Sequence, residues 1–255
     1  MKTTSADIEK IHQLLAELRL QGVAAAVERE LDRAQSQGCP ASEVIARLLV
    51  EESAHRQQRS MANRLKHAKI PWDLTLATFP FDKQPGVRKQ QIMALAGLAF
   101  VQKAENIVFI GKPGTGKSGL AIGLLRQALV EGYRGKFYNA QDLLDELYAS
   151  LADLTTPRLL KRLCRYDVLL IDELGYLTLK PEQVNAFFKL MGERYGHKAS
   201  IITTNLDYPE WYDLFKRKPL VDALLDRLKH RCITIRINGP SLTVPSHDDK
   251  TDPAP

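Results

Sequence analysis

Between residues 106 and 129 the chain reads NIVFIGKPGTGKSGLAIGLLRQAL: an apolar run, a glycine-rich loop, then apolar residues at helical spacing. A strand that feeds directly into a helix must be followed by a crossover back to the sheet, so its neighbours are parallel strands buried on both faces. The rest of the chain supplies such neighbours. Short apolar runs at 107–110, 135–139, 168–171, 200–204 and 232–237 alternate with helical patterns at about 88–103, 118–131, 141–150, 181–195 and 219–230. The alternation predicts an α/β core in which helices cover both faces of a parallel sheet.

Ahead of that core only helical periodicity is visible. Ile11, Leu14, Leu15 and Leu18 recur at helical spacing, and Val44, Ile45, Leu48 and Leu49 do so after QGCPAS. Gly38 is expected to close the first helical stretch, and Ala41 or Ser42 beside Pro40 to open the second. The stretch KIPWDLTLATFPFDKQPG at 69–86 carries three prolines and loses the helical period, so it reads as an ordered connector. The expected organisation is a small all-helical domain over 1–69, an α/β domain over 70–240 and a proline-rich mobile tail over 241–255.

With 44% hydrophobic and 26% charged residues in 255, and no apolar run near the roughly 18 residues a span requires, a membrane protein is not expected. The first residues lack a secretory pattern, and a cytoplasmic location is expected. Cys39, Cys164 and Cys232 lie far apart without a CxxC pair, which points to neither a disulfide framework nor a zinc site.

The loop Gly111, Lys112, Pro113, Gly114, Thr115, Gly116, Lys117, Ser118, followed by Gly119, matches GxxxxGK[ST] in the strand-to-helix context that motif needs. Its glycines let successive amides turn inward toward phosphate oxygens, and the helix dipole adds partial positive charge. Lys117 is expected on the β and γ phosphates of ATP, and the Ser118 hydroxyl on Mg2+. About 55 residues on, DVLLIDELGYL delivers Asp172 and Glu173 from the end of a buried strand. The first carboxylate suits the metal; the second suits deprotonation of an attacking water, which favours hydrolysis over transfer to a small molecule. A third strand end, IITTN, brings Thr203, Thr204 and Asn205 to the same edge, where the Asn205 amide can hold the lytic water or sense the γ-phosphate.

Together GKPGTGKS, LLIDELGYL, IITTN and LLDRLKHRCITIRINGPS resemble the IstB-like ATPases, AAA+ helpers of insertion-sequence transposition related to the DnaC helicase loaders. The resemblance implies a sheet of order 5-1-4-3-2, a helical leader, no C-terminal lid domain and ATP-driven self-association on duplex DNA. It also implies recruitment or activation of a partner transposase; a DnaC-like helicase loader is the alternative. Arg227 of the DRL segment would be the arginine finger acting in a neighbouring subunit, with Arg231 in reserve. The net charge of +6 is concentrated in acid-free stretches at 55–69, 157–165 and 227–236. Arg158, Lys161, Arg162 and Arg165 would share one face of an extra helix suited to DNA phosphates, with little regard for sequence.

Overall fold

A computed structural model describes residues 5–175 and 177–243, and the chain divides into two compact units, 1–63 and 64–255. The division falls inside the long helix α3 (Ala41–Ala68), slightly before the boundary expected near 70.

The first unit contains α1 (Ser5–Glu17), α2 (Gln21–Gln37) and most of α3. The helical run before Gly38 is therefore broken once, at Arg19, whose φ is 55°. The break is stabilised from a distance: the Glu52 carboxylate on α3 accepts the first amides of α2, Gly22 N–H at 2.8 Å and Val23 N–H at 3.2 Å. Such capping satisfies donors that a helix start leaves open, and periodicity carries no trace of it. Gly38 ends α2 in the left-handed conformation with its N–H on Ala34 O, as its position predicts.

The second unit holds the sheet. Its strands β1 (Asn106–Gly111), β2 (Gly135–Asn139), β3 (Val168–Asp172), β4 (Ala199–Thr204) and β5 (Cys232–Ile237) are all parallel, in the order β2-β3-β4-β1-β5. This is the expected 5-1-4-3-2 order. Alternate residues face opposite ways, as strand geometry demands. Val108, Ile110, Leu169, Ile171 and Ile202 join one core, and Ile107, Phe109, Val168, Leu170 and Ile201 join the other.

The second of these cores lies under α4 (Lys89–Ala96), α5 (Ala99–Gln102) and α6 (Lys117–Val130). Leu120, Leu124, Leu125 and Leu129 of α6 are fully buried, each contributing about 1.5–3 kcal/mol relative to exposure. The helix expected over 88–103 is two short ones because Leu98 takes φ 59°, which turns Phe100 and Val101 into the same core as Ile92 and Leu95. Covering the opposite face are α7 (Ala140–Ala152), α8 (Thr156–Leu163), α9 (Pro181–Arg194), α10 (Trp211–Phe215) and α11 (Lys218–His230).

Residues 244–255 of the expected tail lie outside the described residues. Ser241–Thr243 do not hang free: the Leu242 N–H donates to Gly114 O at 2.8 Å.

Candidate nucleotide site

The strand order brings the site together. Because β4 lies between β1 and β3, the chain leaving β4 emerges between the glycine loop after β1 and the carboxylates after β3. Ligands of open α/β sheets gather at this carboxyl edge.

Gly114 and Gly116 take φ of 77° and 87°, backbone that a side chain disfavours, and they curl the loop from Gly111 into α6. Inside it, the Thr115 hydroxyl donates to Lys112 O at 2.8 Å, and Lys117 Nζ donates to the same carbonyl oxygen at 2.8 Å. Burial pulls the Lys117 ammonium below its ordinary pKa, against the attraction of Asp172 and Glu173. A partly desolvated cation of this kind gains most from an arriving polyanion.

Asp172 is buried, and one of its oxygens takes two hydroxyls: Ser118 Oγ donates to Oδ1 at 2.8 Å and Thr203 Oγ1 at 2.5 Å. Burial nevertheless raises the Asp172 carboxyl above its usual range, with Glu173 adding to the shift and the two hydroxyls and Lys117 opposing it. A carboxylate destabilised in this way suits a cation. Among the described residues no group of three or more His, Cys, Asp or Glu side chains could hold a metal alone. The donors thus fit Mg2+, which binds through one or two protein oxygens and takes the remainder from phosphate and water.

The raised carboxyl has a testable consequence. Below the ordinary aspartate pKa, folded and unfolded chains both carry the proton and no penalty exists; as pH rises above it the folded state loses stability. Asp172→Asn is therefore expected to raise the melting temperature of the nucleotide-free protein by a few degrees near pH 7.5, with the gain shrinking toward pH 4. Thermal unfolding across that range measures it, and a gain independent of pH would rule out relief of charge as its origin.

Glu173 follows at φ 63°, exposed at the sheet edge, with its N–H donating to Thr203 Oγ1 at 2.9 Å. Asn139 Nδ2 donates to its Oε2 at 2.9 Å, while Asn139 Oδ1 caps α7 by accepting from Gln141 N–H at 3.0 Å. Asn139 carries no motif signal, and only the pairing of β2 with β3, which opposes it to Asp172, brings it here. Asn205 lies against the next turn: a Cβ on Gly175 would stand 2.1 Å from Asn205 Oδ1.

Arg227 is not part of this edge. It sits near the end of α11, where its guanidinium lies 5.8 Å over the Tyr195 ring and Nη1 would meet a Cβ on Gly192 at 2.9 Å. The chain enters β5 just beyond, at Cys232 opposite Asn106, whereas the glycine loop begins at the far end of that pairing, Gly111 opposite Ile237. A strand length of roughly 17 Å separates the two ends, at about 3.3 Å per residue. Arg231 is at the same amino edge, with Nη1 donating to Lys103 O at 3.1 Å. Arg194, also near that edge, is fully engaged in the core by Ser200 Oγ and the carbonyl oxygens of Leu163, Tyr166 and Ala199.

Three of the four basic residues, Arg158, Lys161 and Arg162, lie on α8, between β2 and β3; Arg165 does not share the helix as expected, because α8 ends at Leu163 and Arg165 falls in the turn beyond its cap, Cys164. Leu159, Leu160 and Leu163 face the core, which leaves Arg158, Lys161, Arg162 and Arg165 exposed along a cleft of about 630 Å³ shared with α7. The four are not equivalent, because Arg162 is paired with Glu146; Arg158, Lys161 and Arg165 have no ion pair among the described residues.

A glycine loop after β1, an aspartate–glutamate pair after β3 and the 5-1-4-3-2 sheet define a P-loop nucleotide-binding protein of AAA+ architecture. More narrowly, the chain belongs to the IstB-like ATP binding protein family, whose model matches residues 13–248. It is 36% identical over 234 residues to the IS21 insertion-sequence ATP-binding protein of Pseudomonas aeruginosa, covering 92% of this chain and 88% of that one. Identity to the IS5376 insertion-sequence ATP-binding protein of Geobacillus stearothermophilus is 34% over 233 residues, covering 91% of this chain and 93% of that one. Among solved structures the DnaC helicase loader aligns at 25% identity and a TM-score of 0.56, over 65% of this chain and 97% of that one. The replication initiator DnaA shares the fold at a TM-score of 0.54 and 21% identity, over 66% of this chain and 50% of that one. No helix of the described residues is long and apolar enough to cross a membrane.

Proposed function

We propose that the chain hydrolyses ATP within an assembly of its own copies on duplex DNA, and in that state recruits or activates the transposase of an insertion sequence. One observation carries the assembly: Ser118, Asp172, Glu173 and Asn205 converge at one edge of the sheet, while Arg227 lies a strand length away at the other. A finger so far from its own loop serves a site on a neighbouring copy.

In this reading the loop amides and Lys117 bind the phosphates, and Ser118 and Asp172 hold Mg2+. When bound, the ion neutralises phosphate charge. Glu173 takes a proton from water as the water oxygen bonds to the γ-phosphorus; the bond to the bridging oxygen breaks, and ADP departs with its electron pair. Asn205 orients the water. The Asn139 amide occupies Glu173 Oε2, and release of that hydrogen bond frees this oxygen to accept the proton of the water.

Relatives in insertion sequences and the resemblance to DnaC support two partners, a transposase and a replicative helicase. Sizing the protein with ATP, with ADP and without nucleotide, each with and without long duplex DNA, separates them. Growth that requires both ATP and duplex supports the transposition reading; ATP-dependent assembly indifferent to duplex supports the loader.

The exposed cations of α8 and the turn after it give a sharper test of the DNA contact. Replacing Arg158 and Arg165 by alanine is expected to weaken binding to all duplex sequences alike and to lower the logarithmic salt slope by roughly 0.9 for each lost phosphate contact. Arg162→Ala should do less, because Glu146 already holds that side chain. Affinities measured across a salt series decide it: an unchanged slope in the double variant would make 158–165 an ordinary solvated segment.

A further inference from the structure

The outer edge of the phosphate loop is fastened by two residues outside the motifs, Gln84 and Leu242. Gln84, next after the 3₁₀ helix Phe81–Lys83, is fully buried. Its Nε2 donates to Thr115 O at 3.1 Å and to Pro240 O at 3.0 Å, and its Oε1 accepts from Gly86 N–H at 3.3 Å. Both amide protons and an acceptor lone pair are thereby used, as a buried amide requires. The seat is built tightly: a Cβ on Gly239 would stand 1.5 Å from Gln84 Oε1. Two residues beyond Pro240, Leu242 N–H donates to Gly114 O at 2.8 Å. Its side chain also closes on the loop, with Cδ1 at 3.0 Å from where a Cβ on Gly116 would lie.

A loop whose amides turn inward toward an anion turns carbonyls outward. At Gly114 and Thr115 those carbonyls are the two taken by Leu242 and Gln84. Left without partners, they would allow the loop to sample other backbone conformations, and binding would have to offset the cost of ordering it.

We propose that Gln84 is a positioning residue for nucleotide binding: with the Leu242 amide it fixes the outward carbonyls of Gly114 and Thr115, so that the inward amides are arranged for phosphate before the nucleotide arrives. The inference rests on residues 111–118 being the nucleotide cradle and adds to it the connector and the segment after β5. Because the brace acts on the loop and touches neither Glu173 nor Asp172, it governs affinity and leaves the hydrolytic step alone.

Titration calorimetry of the full chain with Mg·ADP and Mg·ATP, together with single-turnover hydrolysis at saturating ATP, tests this. Gln84→Met keeps the length of the side chain and removes both donors. It is expected to raise Kd for both nucleotides by about tenfold, the effect of losing one or two net hydrogen bonds, with the saturated rate unchanged. Without nucleotide, amide hydrogen exchange should quicken over 111–118 and not over β3 or β4. Leu242→Pro, in a partly exposed segment where folding is not at stake, removes the other donor and should raise Kd in the same sense. Native affinity in Leu242→Pro and in any folded Gln84→Met overturns the brace, as does a parallel fall of affinity and saturated rate with faster exchange throughout the sheet. Lys117→Ala separates the premise from the inference. If Lys117→Ala binds Mg·ATP as the native chain does, the cradle assignment fails and the brace with it; if it does not bind while Gln84→Met and Leu242→Pro bind with native affinity, the brace alone fails.

Discussion

Glu173→Gln is expected to bind ATP as tightly as the native chain and to hydrolyse it about 10²–10⁴ times more slowly, the range that positioned general bases supply. The substitution preserves size and can still meet Asn139, but a neutral amide cannot accept the proton of the attacking water. The cradle, Lys117 and Asp172 are untouched, so affinity has no reason to fall. Since ATP then persists in the site, assemblies that depend on it should accumulate and dissociate slowly. Single-turnover phosphate release, measured beside ATP affinity, reads both halves of the expectation. Hydrolysis at the native rate would remove Glu173 from the role of base.

Arg227→Ala is expected to cost about 10³–10⁵ in the ATPase rate of the assembled protein, the range for arginine fingers, while leaving nucleotide affinity of the isolated chain intact. The argument is positional. Its guanidinium lies over Tyr195 at the amino edge of the sheet, so it cannot act on the phosphates of its own loop without unfolding α11. In the proposed assembly it would offset charge on the γ-phosphate of a neighbouring copy, which would make hydrolysis conditional on assembly. Mixing Arg227→Ala with Lys117→Ala should therefore restore part of the activity, because one mixed interface combines an intact cradle with an intact arginine. Absence of recovery, with normal ATP binding by Arg227→Ala alone, would count against action in trans and turn attention to Arg231.

The strands were readable because a parallel strand covered on both faces needs an unbroken apolar run, and 107–110 and 168–171 are such runs. The glycine loop was readable because its backbone demands sit at fixed spacing within eight residues. Helix breaks were not: the left-handed turns at Arg19 and Leu98 serve contacts with distant residues, Glu52 for the first and the core beneath α4 for the second. The same limit applies to charge. The four cations of 158–165 look alike in sequence, and only folding places Arg165 in the turn beyond α8 and sets Glu146 against Arg162.

Local order along the chain thus determined which segments become strand, phosphate loop and carboxylate pair, since backbone dihedrals, burial period and side-chain type are properties of neighbouring residues. Tertiary structure alone decided which of them meet. The position of β4 between β1 and β3 joins Thr203 to Asp172, the pairing of β2 with β3 sets Asn139 on Glu173, and the return of the chain after β5 lays Leu242 on Gly114 and Pro240 on Gln84. These hydrogen bonds join residues from 31 positions apart, Thr203 and Asp172, to 156 positions apart, Gln84 and Pro240. A hydrogen bond requires its partners within about 3 Å of each other, and over such separations only the packing of the whole sheet can bring them there.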